Sequence, residues 1–342
     1  MKKSLAMTAD WNAIHSIQIA YTFQSTDQSW CVSKDIQGFS SVRAEFEERL
    51  VRHIAKSNKL AFTINRTATS LDIKTEQPFS QLVYDLLRLP QAHYPPMMEV
   101  SESSKIIAHV LRALNLNNIN FTGDPGTVIG ENGFLEGELI NNIIIRIREA
   151  AKGNEYKTKS NERRKLINEQ IRITERNIAK FFKKTPSLYV VRKTFCYKHD
   201  VVNNISLQET DGHLQRFINA LISDLPDCHI LGCWWKREYI TEASYRYSVV
   251  IFINSSNTLC GESFVEIDSQ WQLATDGIGV VCDYILSPYN GILGNVGSIG
   301  KEHDFYHSTL LSNMSGILKR DLYLRLKPHP DFKHFGMEML SK

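Results

Sequence analysis

The sequence predicts an α+β protein with a mainly helical N-terminal domain and a C-terminal domain built on an antiparallel sheet. Apolar residues recur at helical spacing through most of the first half of the 342 residues. After residue 186, segments of two-residue alternation are separated by helical segments in the order β-α-β-β-α-β. We expect a domain at 1–158, a basic linker helix at 159–185 and a sheet domain at 186–342.

The N-terminal domain is predicted from four helical segments and one β segment. The helices are expected at 40–58, 78–89, 101–118 and 134–153, and the β segment at 59–73. The second helix has a proline in its first turn, and serines that can cap a helix precede the third. Both features are typical of helix N-termini. Nothing in these segments indicates a chemical role.

The linker helix carries a concentration of positive charge. Between 161 and 193 the chain has ten basic and three acidic residues, which gives a net charge of +7. Ile167, Ile171, Ile178 and Phe182 form an apolar stripe, so one face is expected to be buried and the other positive. Two interpretations remain open, a solvated charged helix and a surface that contacts phosphates.

The C-terminal elements follow a recognisable order. Strands are predicted at 187–197, 229–239, 244–254 and 321–327, and helices at 211–225 and 303–320. A split βαβ, ferredoxin-like sheet with helices on one face has this order.

The third of these strands, "SYRYSVVIFIN" at 244–254, raises a question about two of its side chains. Tyr245 and Tyr247 share one face of the strand with the apolar residues that follow them. Arg246 and Ser248 stand together on the other face, where two neighbouring positions could hold a pair of metal ligands. Arginine has no lone pair to give a metal, and serine is a poor ligand.

Several segments of the C-terminal half carry a family likeness. "LYVVRKTFCY", "HLQRFINAL", "LGCWWKREY", "YRYSVVIFIN" and "KRDLYLRLKPHPDFKHFG" occur in this order over residues 186–338. Because of these segments and their order, the C-terminal half resembles the inovirus gene-II-type replication proteins and their prophage relatives, the YagK-YfjJ family. The element Trp235, Glu238 and Tyr239 before the strand carries most of the likeness. Members of that family resemble rolling-circle initiators of the HUH endonuclease type.

The resemblance implies a nicking site whose key positions are replaced here. In such enzymes two histidines on a central strand hold a divalent metal, and a tyrosine on a late helix attacks the scissile phosphodiester. The histidine positions fall on Arg246 and Ser248, and the tyrosine position falls near Gly316, with Lys319 one turn further. Glu238, which can assist metal binding in such sites, is present. The resemblance therefore implies a degenerate HUH-like fold and no catalysis.

Three functions remain open at this point. The first is a replication-initiator-like DNA-binding protein that has lost nicking activity and binds single-stranded or hairpin DNA in mobile-element regulation or phage defence. The second is an active nuclease that holds Mg²⁺ or Mn²⁺ through relocated ligands, with His303 and His307 at i, i+4. The third is a protein-interaction module whose N-terminal domain contacts a partner. The expected nucleic-acid-binding residues are Arg163, Arg164, Lys165, Arg172, Arg176, Lys236, Arg246, Lys319 and Arg320.

Composition adds limits to these hypotheses. A net charge of +3 does not by itself indicate a nucleic-acid partner, and no apolar run is long enough to predict a membrane helix. The N-terminal segment lacks the apolar core of a signal peptide, so the cytoplasm is the expected location. No cofactor is expected beyond the alternative metal.

Overall fold

The computed structural model divides the chain into two compact units. The helical unit comprises Phe39–Lys165 with Leu322–Leu324, and the sheet unit comprises Met1–Gly38, Leu166–Asp321 and Arg325–Lys342. The structure describes residues 22–24, 30–32, 36–76, 79–89, 94–116, 119–129, 133–223, 225, 229–240, 244–255, 263–282, 296–302 and 304–340. A short antiparallel hairpin, β1 (Thr22–Gln24) and β2 (Trp30–Val32), comes first in the chain.

The helical unit combines several helices with short strands. Its helices are α1 (Ile36–Ala55), α2 (Phe79–Arg88), α3 (Glu102–Ala113) and α4 (Glu136–Lys152). Its strands are β3 (Phe62–Arg66), β4 (Leu71–Thr75), β5 (Met98–Val100), β6 (Val128–Ile129) and β7 (Phe134–Leu135). The predicted β segment at 59–73 is the hairpin of β3 and β4, and the pair β6 and β7 was not predicted.

One apolar core holds the helical unit together. It includes Leu50 and Ile54 of α1, Val83 of α2, and Ile140 and Ile144 of α4. These residues recur three or four positions apart within their helices, which is why each helix buries a single stripe. Ser101 caps α3 in the same way as expected from the sequence, because its side chain accepts the backbone N–H of Ser104.

A long basic helix, α5 (Asn154–Lys184, 31 residues), follows directly. It contains no glycine or proline, so nothing in its sequence interrupts the helical hydrogen bonds. The boundary between the two units falls within this helix, at Leu166. The helix ends before Pro186, where the first long strand of the sheet unit begins.

The sheet unit is organised around an antiparallel sheet. Its strands are β8 (Ser187–Tyr197), β9 (Ile230–Ile240), β10 (Ser244–Asn254), β11 (Gly279–Cys282), β12 (Val296–Gly300) and, after β13 (Leu324–Leu326), β14 (Phe335–Met339). The order is β11-β8-β10-β9-β14, and β12 pairs with β8 beside β11. Strand β10 is therefore central, and both of its neighbours run antiparallel to it.

Helices cover both faces of this sheet, which differs from the expected single face. On one side, α6 (Leu207–Ser223) and α7 (Ser263–Ala274) supply Phe217 and Trp271, which pack on Phe195. On the other side, α5 places Phe181 against Phe252, and α8 (Asp304–Lys319) lies over β8 and β10. The reason is that β10 is apolar on both faces after Ser248, so both faces require a cover.

The predicted strand at 321–327 is only partly correct. Residues Arg320–Leu322 form a 3₁₀ turn, and the short β13 does not join the main sheet. The position beside β9 belongs to β14, whose Gly336 lies opposite Trp235. A side chain at Gly336 would overlap the Trp235 indole, and a side chain at Gly232 would overlap the Phe181 ring. Glycine is thus needed at both positions for the rings to pack flat on the strands.

Candidate nucleic-acid interface

Strands β9 and β10 bring together the residues that the sequence singled out. The register places Arg246 opposite Glu238 and Ser248 opposite Lys236. Because strand side chains alternate, all four point to the face that α5 and α8 cover. The juxtaposition of Arg246 and Ser248 with Glu238 agrees with the expectation from the sequence.

These side chains form a network of charged hydrogen bonds, here called the β9–β10 cluster (Lys236, Glu238, Arg246, Ser248, Arg320 and Asp321). Glu238 Oε2 accepts hydrogen bonds from Arg246 Nε at 3.2 Å and from Ser248 Oγ at 3.1 Å. Its Oε1 accepts one from Arg320 Nη1 at 3.4 Å. Lys236 Nζ donates to Asp321 Oδ2 at 2.6 Å.

The cluster is buried, and the pKa values of its two carboxyl groups shift in opposite directions. Arg246 is 4% exposed and Lys236 is 1% exposed, so neither is a surface cation. Although burial opposes ionisation, Arg246, Arg320, Lys236 and Ser248 together lower the pKa of Glu238 from 4.5 to about 2. Burial raises the pKa of Asp321, and the nearby Glu238 carboxylate adds to that effect.

This arrangement does not suit a divalent metal. Both oxygens of Glu238 already accept hydrogen bonds from cations or a hydroxyl, and the flanking side chains are donors that repel a metal ion. Among the residues that the structure describes, no group of three or more His, Cys, Asp or Glu side chains is placed to hold a metal. The cluster instead joins β9, β10 and the turn after α8 through buried ion pairs.

The segment expected to carry a nucleophile offers no phenol at the expected position. Gly316 is an exposed glycine of α8 with open space around it. Tyr323 lies in a turn rather than in the predicted strand, and burial raises its pKa. The side chain of Tyr306 lies outside the described residues.

Of the two histidines of the alternative metal site, the structure describes one. His303 lies outside the described residues. His307 packs edge-on against Phe182, with ring centroids 5.2 Å apart. That contact gives His307 a packing role, and within the described residues it belongs to no group of three or more potential metal ligands.

The first basic residues of the linker helix do not form the continuous exposed surface that the sequence suggested. Arg163 is buried, because its guanidinium donates to the carbonyl of Val100 at 2.9 Å and pairs with Glu99 at 3.1 Å. Arg164 pairs with Glu48 at 3.0 Å, and Lys165 is exposed. Arg163 therefore supports the helical unit, and replacing it would disturb the fold.

The second half of α5 presents a continuous positive surface. Arg172, Arg176, Lys180 and Lys183 are exposed, and they form what we call the cationic stripe. Thr174, Ile178 and Phe181 are buried on the opposite side of the helix. The spacings of three and four residues align the stripe along one face, with neighbouring Cβ atoms about 5–6 Å apart. Lys180 and Lys183 were counted in the sequence as charge but not assigned to the interface; their helical spacing is the signal that identifies them.

Two further predicted groups have opposite placements. Lys319 is exposed at the end of α8, and Arg320 is partly exposed although it contacts Glu238. The two tryptophans Trp234 and Trp235 are both buried, at 0% and 2% exposure, so neither offers a platform for stacking bases. Trp234 Nε1 donates to Thr174 Oγ1 at 3.1 Å, which fixes α5 to the sheet.

The chain matches no protein-family model, no curated protein and no solved structure. Within the described residues, none of the helices is long and apolar enough to cross a membrane. The functional argument therefore depends on the geometry of the chain itself.

Proposed function

We propose that this protein binds DNA through backbone phosphates along the cationic stripe and leaves the DNA uncut. The resemblance to replication initiators favours single-stranded or hairpin DNA as the ligand, in a phage or prophage setting. The observation that carries the proposal is the exposed row of Arg172, Arg176, Lys180 and Lys183, which lies opposite the buried face of α5.

The stripe has the properties that phosphate binding requires. Among the described residues, Arg176, Lys180 and Lys183 form no ion pair, so their charges are available to a ligand. Arg172 has only a long contact of 3.9 Å to the exposed Glu169, which is worth little in water. Cations spaced by about one helical turn can follow successive phosphates, and the attraction does not depend on base sequence.

The absence of cleavage is proposed from the β9–β10 cluster. A nicking site needs a group that polarises the phosphodiester and a nucleophile that attacks it. At the two positions where the resemblance implies metal ligands, Arg246 and Ser248 instead donate to Glu238. Because Arg246 is buried and held by that carboxylate, it is not presented to a DNA strand. Its role in the proposal is structural.

The test compares two variants that lose the same charge from different parts of the sheet unit. The first, R176Q with K180Q, removes two cations of the stripe. The second, K198Q with R216Q, removes two exposed cations that lie outside the stripe, one directly after β8 and one on α6. Fluorescence anisotropy would measure the affinity for single-stranded, hairpin and duplex DNA at several salt concentrations.

We expect the stripe variant alone to bind single strands more weakly. Its slope of log affinity against log salt should fall in magnitude by about 1.4, since each lost phosphate contact contributes about 0.7 on single strands. If both variants lose the same DNA affinity, the effect comes from the net charge of the protein and not from the stripe. If the unmodified protein binds no DNA at low salt, the proposal is wrong and the protein-partner interpretation takes its place.

Cleavage is tested in the same samples. Supercoiled and single-stranded DNA incubated with the protein and Mn²⁺ or Mg²⁺ should stay intact, and no covalent protein–DNA adduct should appear on denaturing gels. A nicked product that disappears in a Tyr306→Phe variant would show an active nickase and would contradict the uncut binding proposed here.

A further inference from the structure

The antiparallel sheet ends at strand β14, and the outer side of that strand is open. Among the strands that the structure describes, β14 pairs with β9 and with no other. A strand at the edge of a sheet presents a row of unpaired N–H and C=O groups, which form a template for another strand. Proline and lysine are among the residues that protect such an edge, and β14 (Phe335–Met339) contains neither.

The hydrogen bonds to β9 show which backbone groups of β14 point outward. The carbonyl of His334 accepts the N–H of Arg237 at 2.8 Å, and the N–H of Leu340 donates to the carbonyl of Leu231 at 3.0 Å. Positions 334 and 340 therefore face β9. The direction of these groups alternates along an antiparallel strand, so the backbone groups at every second position between them point away from the sheet. These positions are Phe335, Met337 and Met339.

The side chains of the same three residues form an apolar edge on the face that α5 covers. Met337 lies opposite Trp234, whose indole is bonded to α5, and Phe335 packs against that indole with ring centroids 6.2 Å apart. Met339 is 37% exposed, and Phe335 and Met337 are half-buried. On the other face, β14 has a glycine and one exposed charged residue, Glu338. The edge is therefore apolar on one face and carries a single charge on the other.

We propose that β14 pairs with β14 of a second copy of this chain and forms a two-fold symmetric dimer. With Met337 on the two-fold axis, it lies opposite its own counterpart, and Phe335 lies opposite Met339 of the second copy. All three residues with outward backbone groups then form the hydrogen-bonded pairs of an antiparallel ladder. The same register places Gly336 opposite Glu338, so no like charges meet. The strand is thus self-complementary, as a two-fold contact requires.

Neighbouring registers fit less well. Centring the pair on Glu338 would place two carboxylates directly opposite each other, which is destabilising. Centring it on Gly336 would place Met339 opposite Lys333 and leave the apolar side chains without matching partners. The register centred on Met337 is the one of these three that pairs all five residues of β14, apolar with apolar and without opposed charges.

The dimer would join the two sheets into one. A two-fold axis perpendicular to the sheet keeps each face on its own side, so α5 of both copies would lie on the same face. In each copy Phe181 of α5 lies over Gly232 of β9 and packs against Phe252 of β10. With strands about 4.8 Å apart, the two helices would be roughly 20 Å apart, which leaves room for both. The pairing itself does not rest on the proposed DNA binding.

The test is sedimentation velocity on the full chain without DNA, at protein concentrations from about 1 to 100 μM. Pairing of two five-residue strands makes a small interface, so we expect a weak dimer with a Kd of about 1–100 μM. The sedimentation coefficient should therefore rise with concentration. A chain that stays monomeric up to about 100 μM overturns the proposal.

Opposite charges introduced at the two-fold axis test the register. Met337→Lys places two lysines opposite each other, and Met337→Glu places two glutamates, so each variant alone should associate at least about tenfold more weakly. Mixing the two variants should restore the dimer, because a lysine then lies opposite a glutamate. The matched control is Leu273→Lys, which replaces an apolar residue that is 69% exposed on α7. It should associate as the unmodified chain does.

The mixture also shows whether the variants are folded, because only folded chains can restore the dimer, and thermal unfolding checks each variant alone. If Met337→Lys associates as strongly as the unmodified chain, the dimer does not form through β14 and the proposal is overturned. A mixture that associates no better than either variant alone overturns it as well. The stripe variant R176Q with K180Q should dimerise normally, so a failure of the DNA proposal and a failure of this one are distinguishable.

Discussion

Glu238 of the sheet unit and Glu47 of the helical unit are both buried glutamates held by an arginine, yet they differ in how completely they are paired. Glu238 accepts hydrogen bonds from two arginines and a serine, and its pKa falls to about 2. Glu47 accepts a hydrogen bond from Arg43, and burial raises its pKa although Ser104 and Arg43 both lower it. Burial therefore does not decide the charge of a carboxyl by itself; the cations and donors around its oxygens also act on it.

The comparison also separates two energetic roles of a buried carboxyl. Glu238 ionises more readily in the folded protein than in the unfolded chain, so its charge contributes to the stability of the fold. Glu47 ionises less readily in the folded protein, so its charge opposes folding.

The largest effect is expected from removing the paired carboxylate. Glu238→Ala removes the carboxylate that accepts a hydrogen bond from the buried Arg246, and breaking a buried ion pair costs about 3–5 kcal/mol. Urea denaturation would measure the free energy of unfolding. The control, Glu169→Ala on the exposed side of α5, should change it by less than about 0.5 kcal/mol. A loss below about 1 kcal/mol for Glu238→Ala would show that the cluster is not an important source of stability.

Lowering the pH should gradually remove the stability that the ionised Glu238 contributes. A carboxyl whose pKa is lower in the folded protein than in the unfolded chain stabilises the fold above its unfolded pKa. That stability is lost as pH falls through the folded pKa. For Glu238 the window runs from pH 4.5 down to about 2, and the loss amounts to roughly 3 kcal/mol. Urea denaturation at several pH values should show this loss in the unmodified protein and a flatter profile in Glu238→Gln.

The smallest effect, of opposite sign, is expected at Glu47. Because its pKa is raised on folding, its ionisation destabilises the fold as pH rises above 4.5. Glu47→Gln cannot ionise, so its stability relative to the unmodified protein should increase from pH 4 to pH 7. Thermal unfolding across this range would measure the difference, with Glu45→Gln as control. A relative decrease would mean that Glu47 is better paired than its contacts indicate.

The sequence predicted the local geometry of β10 because that geometry depends on two simple rules. Alternation fixed which residues share a face, and the short separation of the two predicted strands favoured antiparallel pairing. The register that places Arg246 opposite Glu238 is given by the structure. Lys236 was harder to assign, since its partner Asp321 lies 85 residues later and follows a different helix. Nothing in the local pattern identifies such a partner.

The burial of Arg163 shows a different limit. Arg163 precedes Ile167 by four residues, so helical spacing places it on the apolar stripe rather than on the positive face. A charged side chain is usually exposed, so its charge favoured a surface position. Its partners Glu99 and Val100 are too distant in sequence to be predicted. The pairing of Lys236 with Asp321 likewise joins segments that are far apart in the chain. Both features arise from tertiary packing, which periodicity does not encode.

The glycines packed under aromatic rings have a consequence for how this sequence can evolve. Any side chain at Gly336 or Gly232 would overlap the ring of Trp235 or Phe181. At Gly336 a substitution is therefore tolerated only after the Trp235 ring has become smaller, so these two residues must change together. At Gly232 a side chain would also overlap the backbone carbonyl of Glu338, so a smaller ring at Phe181 would not make room by itself. Distant relatives should be recognisable by this joint drift: an alanine aligned with position 336 should be accompanied by a smaller residue aligned with position 235.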